Sequence, residues 1–165
     1  MKILIVSDSH GLRKELKNLT ELHADATSFI HCGDSELDHH APELEAYRVV
    51  RGNCDYAPFP NQLLVEAGDE RILVTHGHLY GVKNGLLRLK YVAQENEATI
   101  VCFGHSHVLG VEQIDRIWFM NPGSLRYPRL RREKTYLLLE LTGKEKKVTV
   151  FEYPKNALMT IPLSD

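Results

Sequence analysis

Lys2-Ile3-Leu4-Ile5-Val6-Ser7-Asp8-Ser9-His10-Gly11 sets an unbroken aliphatic run directly before a carboxylate and an imidazole. Such a run reads as a strand buried on both faces, as in a parallel sheet covered by helices. Gly11 breaks the chain. Leu12, Leu16, Leu19 and Leu22, interleaved with Arg13, Lys14, Glu15 and Lys17, then predict a helix through about His23. Ser28 to Cys32 reads as a second strand ending at Gly33-Asp34, and Tyr47 to Arg51 as a third ending at Gly52-Asn53. A strand–helix–strand opening points to an α/β domain.

Further along, Gln62 to Ala67 and Arg71 to Thr75 flank Gly68-Asp69-Glu70 and predict a hairpin. A helix is expected from about Asn84 to Glu95, then a buried strand from Ile100 to Phe103 ending at Gly104. The last third predicts strands at Val111 to Ile114, Ile117 to Met120, Thr135 to Leu141 and Lys147 to Tyr153, the final pair joined by a turn at Thr142-Gly143-Lys144. Two packed sheets with helices outside fit this strand count. No repeat or linker-like stretch interrupts residues 1–165, so one domain is expected.

Composition narrows the function classes. A chain of 165 residues is long enough to bury one core without staples, since a domain of roughly 150 residues buries about 68–70% of its extended surface. With 43% hydrophobic and 25% charged residues, the chain is not a disordered one. The run at residues 3–6 is too short for a signal peptide or membrane span, so no membrane association is expected. A net charge of −2 gives no indication of nucleic-acid binding through a basic surface. The three cysteines, Cys32, Cys54 and Cys102, lack CxxC spacing and fit a reduced, cytoplasmic chain, not a thiolate zinc site.

The nine histidines carry more information. Apolar runs end at Asp8-Ser9-His10, Gly33-Asp34, Gly52-Asn53-Cys54-Asp55, His76-Gly77-His78 and Gly104-His105-Ser106-His107. In open α/β sheets, sites form outside the carboxyl ends of strands. The pairs Asp8/His10, His76/His78 and His105/His107 are spaced so that, in extended chain, both members face one side. Alone, Asp-x-His, Gly-Asp and Gly-Asn are common turns and a His-x-His could be a surface pair; this does not account for all of them occurring in order, each after an apolar run. His23, His31, His39 and His40 lack such neighbours and read as incidental. The basic cluster Arg126, Arg129, Arg131 and Arg132 reads first as a solvated loop and second as a recruiter of substrate phosphate.

These motifs, with Asn121-Pro122-Gly123-Ser124, resemble the calcineurin-like metallophosphoesterases, and are most similar to the small YfcE-type bacterial and archaeal phosphodiesterases. The resemblance implies a four-layer αββα sandwich of two mixed β-sheets flanked by helices, carrying two divalent ions. It implies Asp8, His10, Asp34 and His107 around one ion and Asp34, Asn53, His76 and His105 around the other, with Asp34 bridging. Asn53 and His78 are then candidates for contact with the phosphate. The chain departs from the wider superfamily where Cys54 follows Asn53, a place often held by a histidine that can protonate the leaving group. It departs again where Leu37 stands in place of a common acid, with Asp38 one residue later.

Carboxylate, amide and imidazole ligands without thiolate suit Mn²⁺ first, with Ni²⁺, Fe²⁺ or Zn²⁺ as alternatives. Two such ions about 3.5–4 Å apart clamp the attacking and leaving oxygens of a phosphate ester, and a hydroxide held between them is the expected nucleophile. Set against Asp8 and Asp34, the ions and that hydroxide leave a net charge of about +1, which a phosphodiester monoanion would neutralise. That charge favours an anionic ester without deciding between diester and monoester; with Cys54 in place of a proton-donating histidine, the expectation is a hydrolase acting on phosphodiester bonds of a small substrate. A phosphomonoesterase or dinucleotide-polyphosphate hydrolase is the alternative on the same site, and a metal-free scaffold, like the retromer subunit that resembles this family, is the less favoured one. The sequence does not fix the oligomeric state; a homo-oligomer is compatible with it.

Overall fold

The computed structural model describes residues 1–143 and 145–164. The first sheet holds strands β1 (Lys2–Val6), β2 (Ser28–His31) and β3 (Tyr47–Val49), paired parallel in that order. The second begins with the antiparallel pair β4 (Gln62–Ala67) and β5 (Glu70–Thr75). It continues through β6 (Ile100–Cys102), β7 (Leu109–Ile114) and β8 (Ile117–Pro122). Strands β9 (Thr135–Thr142), β10 (Glu145–Glu152) and β11 (Asn156–Pro162) then return to the first sheet. The sheet orders are β11-β10-β9-β1-β2-β3 and β4-β5-β6-β8-β7, both mixed. Helices α1 (Lys14–Leu22) and α2 (Leu87–Glu95) complete the main elements.

Alternation along the strands builds the layers. Ile3 and Ile5 of β1 point between the sheets, where they meet Ile72 and Val74 of β5 and Ile100 and Cys102 of β6. Leu4 and Val6 point the other way, onto Leu16 and Leu19 of α1. On the far side Leu73, Val101 and Phe119 pack on Leu89 and Ala93 of α2. The sequence of layers is therefore helix, sheet, sheet, helix. Full burial of each such side chain contributes about 1.5–3 kcal/mol, which fits the unbroken apolar run of β1 from Ile3 to Val6.

Differences from the sequence reading lie at element ends. The first helix starts at Lys14 and not Leu12, and the second at Leu87 and not Asn84, because a 3-10 turn occupies Val82–Asn84 and Gly85 (φ 123°) separates it from the helix. Strand β11 has no counterpart in the sequence reading. It is a largely exposed edge strand closed by Pro162, so it lacks the alternation that burial imposes. Of the turn expected between β9 and β10, Gly143 has φ 58° and Lys144 lies outside the described residues.

Candidate metal centre

The carboxyl ends of β1, β2, β3, β5 and β6 gather at one edge of the two sheets, and their following turns interlock. The amide of Asp8 donates to the Gly33 carbonyl (3.0 Å), that of His10 to the Asp34 carbonyl (3.0 Å), and that of Gly104 to the His76 carbonyl (3.1 Å). The candidate pairs do converge, but not as extended chain. Asp8 (φ 53°), His10 (42°), Asp34 (55°), His105 (67°) and His107 (59°) are all left-handed. In the remaining pair, His76 ends a strand, Gly77 turns at φ 101°, and His78 opens a 3-10 turn. Left-handed backbone is costly for any residue but glycine, so something must hold these turns.

A buried polar frame does so. Asp55 accepts hydrogen bonds from the amides of Asp34 (2.8 Å), Glu36 (2.8 Å) and Gly52 (2.7 Å) and from the Ser35 hydroxyl (3.2 Å), tying the turns after β2 and β3 together. The Ser7 hydroxyl donates to Asp8 Oδ2 (2.6 Å), which also takes the His105 amide (3.1 Å). Ser124, just beyond β8, donates to the Asp8 carbonyl (2.7 Å). Asn121 donates to the Gly104 carbonyl (3.1 Å) and the Ser106 hydroxyl (2.9 Å). His31 is fully buried; its Nδ1 accepts the Gly33 amide (3.1 Å), so its Nε2–H donates to Ser9 (2.8 Å). Close approach also demands glycine here: a Cβ on Gly52 would fall 2.0 Å from Asp34 Oδ1, and one on Gly104 1.9 Å from Ser7 Oγ. Asp55, Ser7, Ser9, His31 and Ser124 were not singled out as site residues by the sequence, because their roles come from contacts across loops distant in the chain.

Inside this frame, acceptors face acceptors. His107 Nδ1 meets the Tyr127 carbonyl at 2.8 Å and His76 Nδ1 meets the Cys32 carbonyl at 2.7 Å. A carbonyl only accepts, so each Nδ1 carries a proton, and in the neutral ring Nε2 is the atom that offers its lone pair inward. The Nε2 of His107 lies 3.1 Å from Asp8 Oδ1 and 3.3 Å from His10 Nε2. The Nε2 of His76 lies 3.3 Å from Asp34 Oδ2 and 3.2 Å from Asn53 Oδ1. Asp8 Oδ1 is buried and has no hydrogen-bond partner among the described residues. His10 Nε2 is 3.8 Å from Asp8 and 4.0 Å from Asp34, and the His105 ring centroid is 5.1 Å from that of His76.

Such an arrangement needs positive charge at its centre, and the ionisation tendencies say the same. Burial pushes the Asp8 carboxyl up, but His107, His76 and the Ser7 hydroxyl outweigh it and hold it below its ordinary value. Burial likewise opposes, and His76 and the Cys54 amide overcome it, to hold Asp34 well down. Asp8 raises His107, and against burial Asp34 and Asp8 raise His76. His105, desolvated and beside His76, is instead pushed down to about 4. The groups Asp8–His10–His107 and Asp8–Asp34–His76 each bring their ligand atoms within 4.8 Å of one another. The donor set and the orphaned Asp8 oxygen fit divalent cations, and an inward Nε2 backed by Nδ1–H to a carbonyl is the usual bearing of a metal-ligating histidine.

Residues 1–144 match the model of the calcineurin-like phosphoesterase superfamily domain. The chain belongs to the calcineurin-like phosphoesterase superfamily. Among calcineurin-like phosphoesterases, it is 47% identical over 160 residues to the probable metallophosphoesterase YsnB of Bacillus subtilis, covering 96% of this chain and 95% of that one. It is 29% identical to the phosphodiesterase YfcE of Escherichia coli K12, over 85% of this chain and 88% of that protein. A crystal structure of a conserved Streptococcus pneumoniae TIGR4 protein, described as a predicted phosphoesterase, superposes with a TM-score of 0.94 at 35% identity, covering 99% of this chain and 97% of that one.

Around the calcineurin-like centre, His78 is half-buried 5.4 Å (ring centroids) from His76, and its Nδ1 has no hydrogen-bond partner among the described residues. Asn53 is exposed and turns its Nδ2 to Cys54 Sγ (3.3 Å). Burial, then the Asp34 carboxylate, push the Cys54 thiol up to about 11. Glu36, another residue that sequence reading passed over, brings its carboxylate 3.4 Å from His10 Nδ1. The arginine cluster divides: Arg126 donates to the His10 carbonyl (2.5 Å) and lies over the Tyr127 ring, whereas Arg131 pairs with Glu133 (3.1 Å). Among the described residues no helix is long and apolar enough to cross a membrane.

Proposed function

We propose that this chain is a dinuclear metal-dependent phosphodiesterase of the cytoplasm, a single domain over residues 1–165, acting on a small phosphate ester. Asp8, His10, Asp34 and His107 would hold one divalent ion, and Asp34, Asn53, His76 and His105 the other, with Asp34 shared. The observation that carries this reading is the buried, unpartnered Asp8 Oδ1 facing the lone pair of His107 Nε2 at 3.1 Å, an arrangement a cation relieves. Two divalent ions would supply Lewis acidity at the phosphoryl oxygens and make a water acidic enough to react near neutral pH; Mn²⁺ suits the oxygen and nitrogen donors best.

The chain's own groups do the rest. The Cys32 and Tyr127 carbonyls fix the tautomers of His76 and His107, so both rings arrive as neutral ligands. Asp55 fixes the turn that carries Asp34, and the Cys54 amide donates to Asp34 Oδ1 (2.8 Å), leaving Oδ2 turned to the histidines. The Asn53 amide and His78 Nδ1, which has no hydrogen-bond partner among the described residues, would be the groups to contact phosphate. Cys54 follows Asn53 where a histidine could protonate a departing alkoxide, and a thiol is a weaker proton donor than an imidazolium. That favours substrates whose leaving group needs little protonation, and an anionic diester over a dianionic monoester.

The test is metal content with paired rates. Purified protein should carry two transition-metal ions per chain and, with Mn²⁺, should turn over bis(4-nitrophenyl) phosphate faster than 4-nitrophenyl phosphate. A reversed rate order would favour the monoesterase, and no bound metal after metal-supplemented expression would sink the enzyme reading.

A further inference from the structure

A cleft of about 570 Å³ opens beside the centre, against the turn that carries His105 and His107. Ser106, between those two histidines, is one of its lining residues, and so is Arg129, whose amide donates to the His107 carbonyl at 3.0 Å. Its volume falls within the roughly 300–1,000 Å³ of small-molecule sites. Phe103, Phe119 and Val82, all buried, contribute to its walls together with half-buried Leu109. Apart from the Ser106 hydroxyl and the exposed charges of Lys83, Glu112 and Arg129 at its border, the lining side chains are apolar or already hydrogen-bonded. Asn121, the polar residue of the β8 wall, already gives its Nδ2 to Gly104 and Ser106 and receives the Gly123 amide at Oδ1. The exposed Lys83, Arg129 and Glu112 also border the cleft; the two cations match an anionic phosphate and outnumber the one carboxylate.

Leu130 adds a second observation. It borders the cleft with 93% of its surface exposed and a backbone φ of 61°. A leucine held out to solvent on left-handed backbone is unfavourable twice over, and contact with an apolar guest in the cleft would recover part of that.

We propose that this cleft binds an uncharged aromatic arm of the phosphoester, so that the substrate class is diesters carrying an aryl-like group. This rests on the phosphoesterase reading above. A sugar or peptide arm would bring hydroxyls or amides that the apolar floor of Phe103, Phe119 and Val82 leaves unpaired, whereas a planar apolar group loses nothing there by leaving water. The second arm of a diester thereby adds binding that a monoester of a small alcohol lacks.

Gly110 supplies the test. It lines the cleft from β7, sits opposite Asn121 in register, and a Cβ there would meet no atom within 4 Å. Cross-strand partners share a face, so Gly110→Phe should fill the cleft without disturbing the centre. Two substrates with a common leaving group, methyl 4-nitrophenyl phosphate and phenyl 4-nitrophenyl phosphate, are compared in Mn²⁺. Equilibrium binding of methylphosphonate and phenylphosphonate is measured by calorimetry on the same metal-loaded protein. The native chain should favour each phenyl compound about tenfold or more, the order of discrimination apolar pockets give. In Gly110→Phe that preference should vanish through loss on the phenyl compounds, with the methyl compounds unchanged. Should Gly110→Phe fail to fold, Val108→Trp on the same wall serves in its place. Turnover without phenyl preference, or a preference that survives both substitutions, overturns the cleft assignment and leaves the enzyme reading intact. Selective phosphonate binding without turnover of any ester overturns the enzyme reading and leaves the cleft.

Discussion

The strand-end centre and the layer beneath α1 both bury histidines, and they do so under opposite electrostatic conditions. At the centre, His76 and His107 point lone pairs at carboxylates, and both are raised above the ordinary histidine value. Under α1, His23 donates from Nε2 to the Tyr136 hydroxyl (2.8 Å), which in turn donates to the Pro154 carbonyl (3.0 Å). There the partner of the inward nitrogen is a neutral hydroxyl, and burial, then the Lys155 ammonium, hold His23 below its ordinary value. Burial alone therefore says nothing about function. What marks a buried histidine as a ligand is an inward nitrogen whose neighbours are all acceptors. His31 sharpens the point: it is fully buried and burial pushes it down to about 4, but the Gly33 amide and Ser9 occupy both its nitrogens, so none is free to face a cation.

The largest effect should come from removing negative charge at the centre. Asp34→Asn keeps the shape, and its side-chain carbonyl can still accept the Cys54 amide, but the shared anionic ligand is gone. Activity should fall about 1,000-fold or more, on the order of 4 kcal/mol, while the melting temperature of the metal-free protein changes by no more than a few degrees. Full turnover of this variant in Mn²⁺ would show that the acceptor-crowded centre is not where the reaction occurs.

Next comes the frame. Asp55→Asn replaces an acceptor of four hydrogen bonds with a group that is half donor, leaving buried amides of Asp34, Glu36 or Gly52 unsatisfied. Each such loss costs about 1–3 kcal/mol, so chemical denaturation should show roughly 2–4 kcal/mol less stability. An unchanged midpoint would mean the left-handed turns hold themselves. Chelation should act only on the centre: at metal concentrations near 100 times the dissociation constant, EDTA should remove about 2.7 kcal/mol of stability for each ion bound, read as a lower melting temperature that added Mn²⁺ restores.

Legibility in the sequence follows the same divide. Strands β1, β5, β6 and β9 could be read because burial on both faces leaves few polar substitutions, and the edge strand β11 could not because nothing packs on it strongly enough to leave a pattern. The ligand-type residues were visible because short strand-end motifs concentrate them. Their geometry was not. The i, i+2 argument assumed extended chain, whereas Asp8, His10, His105 and His107 are brought inward by left-handed turns. Those turns depend on Asp55, 21 residues beyond Asp34, and on Ser124, 116 residues beyond Asp8. A hydrogen bond across such distances leaves no local signature.

The smallest expected effect tests the quieter half of the comparison. His23 is neutral in the folded chain, and its folded value lies below the 6.5 of an exposed imidazole. Between those values the unfolded chain binds a proton that the folded chain does not, so stability rises with pH through this window and is lost as pH falls below about 6.5. His23→Gln keeps an amide N–H able to reach Tyr136 but cannot titrate. The stability difference between the native chain and this variant should therefore be constant above about pH 7.5 and shrink on going to pH 5, by at most about 1.4 kcal/mol per pH unit. Because both proteins share every other titrating group, chelated samples of the two cancel the contribution of His76 and His107. A difference that stays flat from pH 7.5 to 5 would show that the layer under α1 accepts an imidazolium as readily as water does, and partner chemistry would then no longer separate the two kinds of buried histidine.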